Sequence, residues 1–372
     1  MMIFRFILIL ILITTACSSS EEQQPGTTFS VSFEKIDETT GDKDIEESWL
    51  IRPRNITVDN YGNVYVADEE QNFIQKFDND LNFIPSLGRE GRGPGEFDNV
   101  GDITADSVLL GFDRGTQTIH KFDLEGTFLT SYTVEEASRS TKIIRAAHGF
   151  VLAYMPFSQN LDAFLGLHNY SNEFEKIGES QLHASEIYPG FNKDLSYQVL
   201  SGYGNIYVVH EQRILIAPST YAGKIYEYTF DPNSAMWRKG KIIQGSEIEE
   251  AYSRLPGRDN ADMLFFMAGN SEPSAFRLHG KSFYLTQLSS GQFVHFIYRD
   301  KGKERQYGVE LFDESLNYLG FEVLLADPDA FDDDRIYMHP PRAKNDQDIF
   351  YSVETDEEGT SLVARKLEIE QQ

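Results

Sequence analysis

The chain has 372 residues, with 33 Lys and Arg against 59 Asp and Glu, for a formal net charge of −26. Such a balance repels nucleic-acid phosphates and anionic lipid alike, so neither DNA, RNA nor a bare membrane surface is an expected partner. The single cysteine rules out an internal disulfide, so stability has to come from burial, which a chain of this length can supply.

The N-terminus reads "MMIFRFILILILITTACSSSEEQQPG": one Arg5, an apolar run from Phe6 to Ile13, then small residues up to Cys17. That run falls short of the roughly 20 apolar residues needed to span a bilayer. A charged start, a short apolar core and a small-residue exit describe a secretory signal over residues 1–16. Its end, Thr14-Thr15-Ala16-Cys17, resembles the lipobox of bacterial lipoproteins, in which the cysteine is lipidated and becomes the first mature residue; Thr14 stands where a Leu is usual. An ordinary signal peptide with an incidental cysteine is the alternative. Acyl chains contribute about 0.8 kcal/mol per buried CH2, so Cys17 would anchor an otherwise soluble domain through lipid alone. Residues 17–28 read as the lipidated Cys and a flexible tether, and 29–372 as a single domain. "SSSEE" after Cys17 resembles the acidic surface-export signals of some outer-membrane bacteria. These resemblances imply a bacterial cell envelope, with the anchor in the outer membrane and the domain facing the periplasm or the surface.

Next comes a repeat. "IQKFDNDLNFI" from Ile74 returns as "IHKFDLEGTFL" from Ile119, with Ile74, Phe77, Asp78 and Phe83 each matched 45 positions later. The segments before them, "PRNITVDNYGNVYVADEEQNF" and "GDITADSVLLGFDRGTQT", alternate apolar and polar residues at period two and set Asp68 and Asp113 just after the apolar run. This is strand patterning. Short strands at 56–58, 64–66, 74–77 and 83–84, separated by Asp- and Gly-containing turns, make four strands in about 45 residues, the size of one propeller blade.

Looser copies follow. "GFVLAYMPF" with "LHNYSNEFEKI" matches a second and third strand, and "GNIYVVH" from Gly204 repeats "GNVYVAD" from Gly62, with "KIYEYTFD" after it. "KSFYLTQ" with "GVELFDESLNYLG", then "DIFYSVET" with "SLVARKLEI", bring the count to six. Such blades are longer than the roughly 40 to 50 residues of a lean blade, which leaves seven open. The excess sits in 178–198 and 245–274, the latter expected as a loop with a helical turn. Because a blade cannot bury both faces alone, the ring must close. "FSVSFEKI" from Phe29 is placed to supply the missing edge strand of the last blade. The expected fold is therefore all-β: a six-bladed β-propeller of four-stranded antiparallel blades closed by an N-terminal strand.

"FIPSLGREGRGPGEFDNVGDITAD" and "NVYVADEEQNFIQKFD" resemble NHL-type repeats, most clearly over residues 50–134. The whole mature chain resembles the six-bladed β-propeller lipoproteins of Bacteroidetes-like bacteria, within the TolB-like propeller superfamily. The resemblance implies a fold and an envelope location, with no assigned biochemistry.

Candidate site residues divide by chemistry. Arg54, Arg89, Arg92 and Arg114 stand out in an acidic chain, and several Arg on one rim would suit a carboxylate or sulfate. The competing reading makes the link "GREGRGPGEF" a spacer whose glycines supply φ > 0. Asp68 and Asp113 occupy the acid position of the NHL signature, whose usual role is to tie blade turns by hydrogen bonds. His168, His210, His295 and His339 fall one per blade, with no HxH or HExxH pairing; His210 is kept as a ligand-binding candidate. The Glu, Asn and Asp motifs with which gluconolactonase-type propellers hold calcium are not found. "DPDAFDDD" from Asp327 lacks the Gly and closing Glu of an EF-hand and reads as a solvated turn. No GxSxG, phosphate loop or CxxC occurs.

Two functions of different class fit. The first is a noncatalytic binding or scaffold lipoprotein, monomeric, presenting its propeller face to an envelope protein, peptide or glycan. The second is a metal-dependent hydrolase or lyase at the channel mouth. No cofactor is predicted, although a divalent cation such as calcium in the channel stays open. Propeller sites are assembled from distant blades, so local motifs are a weak guide to them.

Overall fold

The run Val64-Tyr65-Val66-Ala67-Asp68 is buried at every position. A strand whose side chains alternate between two faces can do this only if both faces of its sheet are covered. Val64 and Val66 pack with Tyr351, Leu362 and Ala364, while Tyr65 and Ala67 pack with Phe97, Val100 and Leu109. Fully burying such a side chain stabilises by about 1.5–3 kcal/mol. One strand thus connects the cores on either side of it.

The computed structural model describes residues 29–42, 44–134, 142–153, 165–183, 206–210, 212–259, 261–265, 274–301, 304–326, 340–357 and 359–371. Strand β1 (Phe29–Thr39) precedes a one-turn 3-10 helix (Glu46–Ser48). The first blade is β2 (Pro53–Val58), β3 (Val64–Asp68), β4 (Phe73–Phe77) and β5 (Phe83–Leu87); the second is β6 (Val100–Ala105), β7 (Leu109–Asp113), β8 (Thr118–Phe122) and β9 (Phe128–Thr133). The third is β10 (Lys142–Ala146), β11 (Gly149–Ala153), β12 (Leu165–Tyr170) and β13 (Lys176–His183). The fourth is β14 (Ile206–His210), β15 (Arg213–Ala217), β16 (Lys224–Asp231) and β17 (Met236–Gln244). A small three-stranded sheet follows: β18 (Tyr252–Leu255), β19 (Met263–Phe265) and β20 (Ser274–Leu278), in the order β18-β20-β19. The fifth blade is β21 (Gly280–Gln287), β22 (Phe293–Lys301), β23 (Glu304–Phe312) and β24 (Tyr318–Ala326). The sixth takes β25 (Ala343–Lys344), β26 (Ile349–Thr355) and β27 (Thr360–Gln371) from the C-terminus and β1 from the N-terminus. All pairings are antiparallel, and the blades number six, not seven.

Closure occurs as the alternation of "FSVSFEKI" implies. β1 runs against β27 from Phe29 opposite Gln371 to Thr39 opposite Leu362. Phe33 sets its ring against Phe296 and Phe350, so the added strand also carries core. The buried apolar residues then fall into six clusters, each shared by two neighbouring blades. First strands of neighbouring blades touch around the ring, β2 with β6, β6 with β10, β10 with β14 and β14 with β21, so they line the channel.

The 45-residue repeat places Ile74 and Phe77 on β4 and Ile119 and Phe122 on β8, each the third strand of its blade and each buried. Two sequence expectations need correction. Ile206–His210 of "GNIYVVH" form the first strand of their blade, whereas "GNVYVAD" contains the second, because the apolar run "RILIA" supplies the second strand there. In the described part of 245–274, residues 252–255 and 263–265 are strands of the extra sheet and none is helical. Among the described residues no helix is long and apolar enough to cross a membrane.

Candidate functional site

An antiparallel meander puts its connections at two ends. Turns joining first to second and third to fourth strands share one end; second-to-third turns and the links between blades share the other. Phe29, where the described chain begins, pairs with Gln371 and so lies at the turn end. The arginines, Asp68, Asp113 and the extra sheet belong to the link end.

At the link end, Asp68 accepts four hydrogen bonds at 2.8–3.3 Å: Ile51 and Arg52 N–H donate to Oδ2, and Glu70 and Gln71 N–H to Oδ1. Asp113 repeats the arrangement, taking the N–H groups of Asp98 and Asn99 from the incoming link and Gly115 N–H and Thr116 Oγ1 from its own turn. Both side chains are fully buried. A buried carboxylate needs such donors, and the donors need it, so each Asp joins a turn to the link entering its blade. This is the role the sequence suggested.

The four arginines all meet carboxylates. Arg54 Nε lies 2.6 Å and Arg114 Nη2 2.8 Å from the two oxygens of Glu69, and Arg52 Nε lies 3.4 Å from the same group. Burial pushes the Glu69 pKa up, but the hydrogen bond from Arg54 and the charge of Arg114 outweigh it and hold the carboxyl below its usual range. Arg342 donates to the Pro53 and Arg54 carbonyls beside this group. Arg54 and Arg114 are therefore brought together on one acid, with Arg52 and Arg342 adding charge that sequence reading missed. Arg89 pairs instead with Glu96, and Arg92 with Asp98, within the link. Both guanidinium-bearing side chains are about three-quarters exposed, at 79% and 76%. The link glycines Gly88 and Gly95 have φ of +73° and +76°, as a chain turning this tightly requires, and a Cβ on Gly88 would collide with the Phe97 ring.

Inside the channel, Lys142 Nζ bridges Asp102 Oδ1 at 2.9 Å and Asn55 Oδ1 at 3.1 Å, joining the first strands of three blades. His210 is placed by its backbone on β14, opposite Arg213, and its side chain lies outside the described residues, as do Cys17, His339 and the "DPDAFDDD" run. His168 is buried in the third blade. His295 is wholly buried at the interface between blades four and five, its Nδ1 donating to Glu310 at 2.7 Å while Tyr221 Oη donates to the same oxygen at 2.8 Å. Burial pushes the Glu310 pKa up, but hydrogen bonds from His295, Ser246 and Tyr221 hold it low. This network reads as a polar lock between blades.

The turn end carries a cavity of about 410 Å³ between blades six and one, lined in part by Asp59, Tyr61, Asn79, Asp80, Asp346 and Gln347. Asp59 is already engaged by Tyr61 and Asn63 N–H, the Asn63 amide and the Tyr65 hydroxyl. Among the described residues no group of three or more His, Cys, Asp or Glu is arranged to hold a metal ion.

The DUF5128 family, described as a 6-bladed beta-propeller, matches residues 38–317. A member of the duf4221 family from Bacteroides vulgatus superposes with a TM-score of 0.57 at 10% identity, covering 92% of this chain and 99% of the other. A candidate exported protein from Bacteroides fragilis superposes with a TM-score of 0.51 at 11% identity, covering 93% and 97%. At such identities the likeness is one of fold. No curated protein matches in sequence.

Proposed function

The chain belongs to the DUF5128 family of six-bladed β-propellers, and from that premise we propose that it is an envelope-anchored lipoprotein whose link end binds an anionic group of an envelope protein, peptide or glycan. The single observation that carries this reading is polarity of the ring: β1 begins at the turn end, so a lipid on Cys17 would turn the link end and its arginines outward from the membrane. Arg89 and Arg92 are exposed, and each holds one surface carboxylate. Exposed pairs of this kind are worth about 0.2–1 kcal/mol, so an incoming carboxylate or sulfate exchanges with Glu96 or Asp98 at little cost. The surrounding negative charge favours ligands that engage through a bidentate Arg contact over loosely attracted polyanions.

Fractionation and binding test the two halves separately. Cys17→Ala is expected to move the protein from the membrane to the soluble fraction, and sedimentation with membranes after a salt wash would reject the anchor. Arg89→Ala with Arg92→Ala is expected to weaken retention on an immobilised sulfated polysaccharide, and capture of partners from native envelope, by about tenfold, the equivalent of one good charged hydrogen bond. Unchanged retention rejects the rim site.

A further inference from the structure

The extra sheet between blades four and five holds a chain of groups that no motif announced. His279 Nδ1 lies 3.0 Å from Asp300 Oδ2, and His279 Nε2 lies 2.9 Å from Ser253 Oγ. Ser253 sits on β18, His279 follows β20, and Asp300 is near the end of β22, so three separate strands converge on one imidazole. His279 is 28% and Asp300 15% exposed, and Ser253 is half-buried.

The geometry points to a Ser253–His279–Asp300 nucleophilic site, and we propose that it hydrolyses carboxylic esters at the link end of the propeller, an activity beyond the binding role proposed above. A carboxylate can only accept, so Asp300 fixes the proton on Nδ1 and leaves Nε2 as the acceptor of the serine hydroxyl proton. Asp300 is itself held in place: its N–H donates to the His279 carbonyl, Arg277 Nε lies 3.4 Å from Oδ2, and Arg305 Nε lies 3.4 Å from Oδ1. Arg305 in turn donates two hydrogen bonds of 2.7 Å to Asp262, whose Oδ2 also accepts from Leu278 N–H. The imidazole therefore rests on a braced carboxylate. Arg277 stands directly opposite Ser253 in the β18–β20 ladder. Directly opposed residues share a face with Cβ atoms about 4.5–5.5 Å apart, and from there the partly exposed Arg277 guanidinium faces Asp300.

The reaction balances within these groups. Ser253 Oγ forms a bond to the ester carbonyl carbon as its proton passes to His279 Nε2; the tetrahedral adduct collapses, the ester C–O bond breaks, and the departing alcohol takes that proton. Water then adds to the acyl-serine with His279 again accepting and returning the proton, releasing the acid and restoring the hydroxyl. No oxidant, metal or cofactor enters.

The test is covalent labelling of the folded full chain with a fluorophosphonate probe, read by peptide mass spectrometry, alongside hydrolysis of p-nitrophenyl acetate. Labelling is expected at Ser253, absent in Ser253→Ala, and slowed at least a hundredfold in His279→Gln, with melting temperatures kept within a few degrees of wild type. If folded wild-type protein takes no label at Ser253, or if His279→Gln labels as fast as wild type, the three residues only fasten the extra sheet to blade five and the proposal is rejected.

Discussion

At the scale of single residues, burial decides which charges matter. Asp113 and Arg89 are both charged groups at the link end, yet Asp113 is fully buried beneath four donors while Arg89 projects into solvent with one partner. Removing a buried acceptor leaves its donors unsatisfied, at about 1–3 kcal/mol for the group, whereas an exposed pair is worth under about 1 kcal/mol. Asp113→Ala is therefore expected to lower the unfolding free energy by about 3 kcal/mol and Arg89→Ala by less than about 1 kcal/mol, as read from urea midpoints at constant m. Equal effects would show that the aspartate is no tie. The position of Asp113 was legible because it repeats Asp68 at 45 residues. The Glu69 partnership of Arg54 and Arg114 was not, since it joins residues of two blades.

At the scale of elements, turn chemistry is repeated more faithfully than the strands it connects. The third-to-fourth-strand turns "DNDLN" at 78–82, "SNEFE" at 171–175 and "DESLN" at 313–317 place Leu81, Phe174 and Leu316 at φ of +55°, +62° and +65°. Non-glycine residues pay strain there, and the equivalent place in "DLEGT" is Gly126 at +95°. Leu81 and Leu316 are each 4% exposed, so burial of the side chain offsets the strain. Strand β1 depends on partners across the whole chain instead. Deleting Phe29 to Ile36 removes the outer strand of blade six and the Phe33 contacts with Phe296 and Phe350. That deletion is expected to lower the melting temperature by more than 10 °C, at about 2–4 °C per kcal/mol for a chain of this size, while deletion of Ser18 to Thr28 leaves it unchanged. Matching melting temperatures for the two truncations would refute closure by β1.

At the scale of the whole molecule, the ring ties its parts to one pH response. His120 packs against Phe97 between blades one and two, and His148 stacks on Phe230 between blades three and four. Burial lowers both imidazole pKa values, with Asp113 opposing the shift at His120 and Asn169 at His148. A depressed histidine pKa means that the unfolded chain binds the proton first, so the stabilisation is complete above the unfolded value of about 6.5 and is lost as pH falls toward the folded one. The carboxyls held low, Glu69, Asp106 and Glu310, add a second loss that begins only below about 4.3. Thermal unfolding is therefore expected to shift downward between about pH 7 and 5, before carboxylates titrate, and His120→Phe is expected to shrink that shift. A variant with the same shift as wild type would remove His120 from this account.

Local chemistry alone determined the strand periodicity and the Asp- and Gly-bearing turns, and it pointed to six blades with seven left open, because a propeller blade is built from neighbours in sequence and its period is written in alternating side chains. Tertiary structure decided the rest. Only closure of the ring sets β1 against β27, gives the molecule a turn end and a link end, and stacks the odd-phased "GNIYVVH" as an innermost strand. Only the pairing of β18 and β20 in the extra sheet carries Ser253 and His279 to Asp300. The physical reason is distance along the chain: residues 26 and 21 positions apart leave no periodic mark when the segment between them belongs to no repeat, and their chemistry exists only once three strands have met.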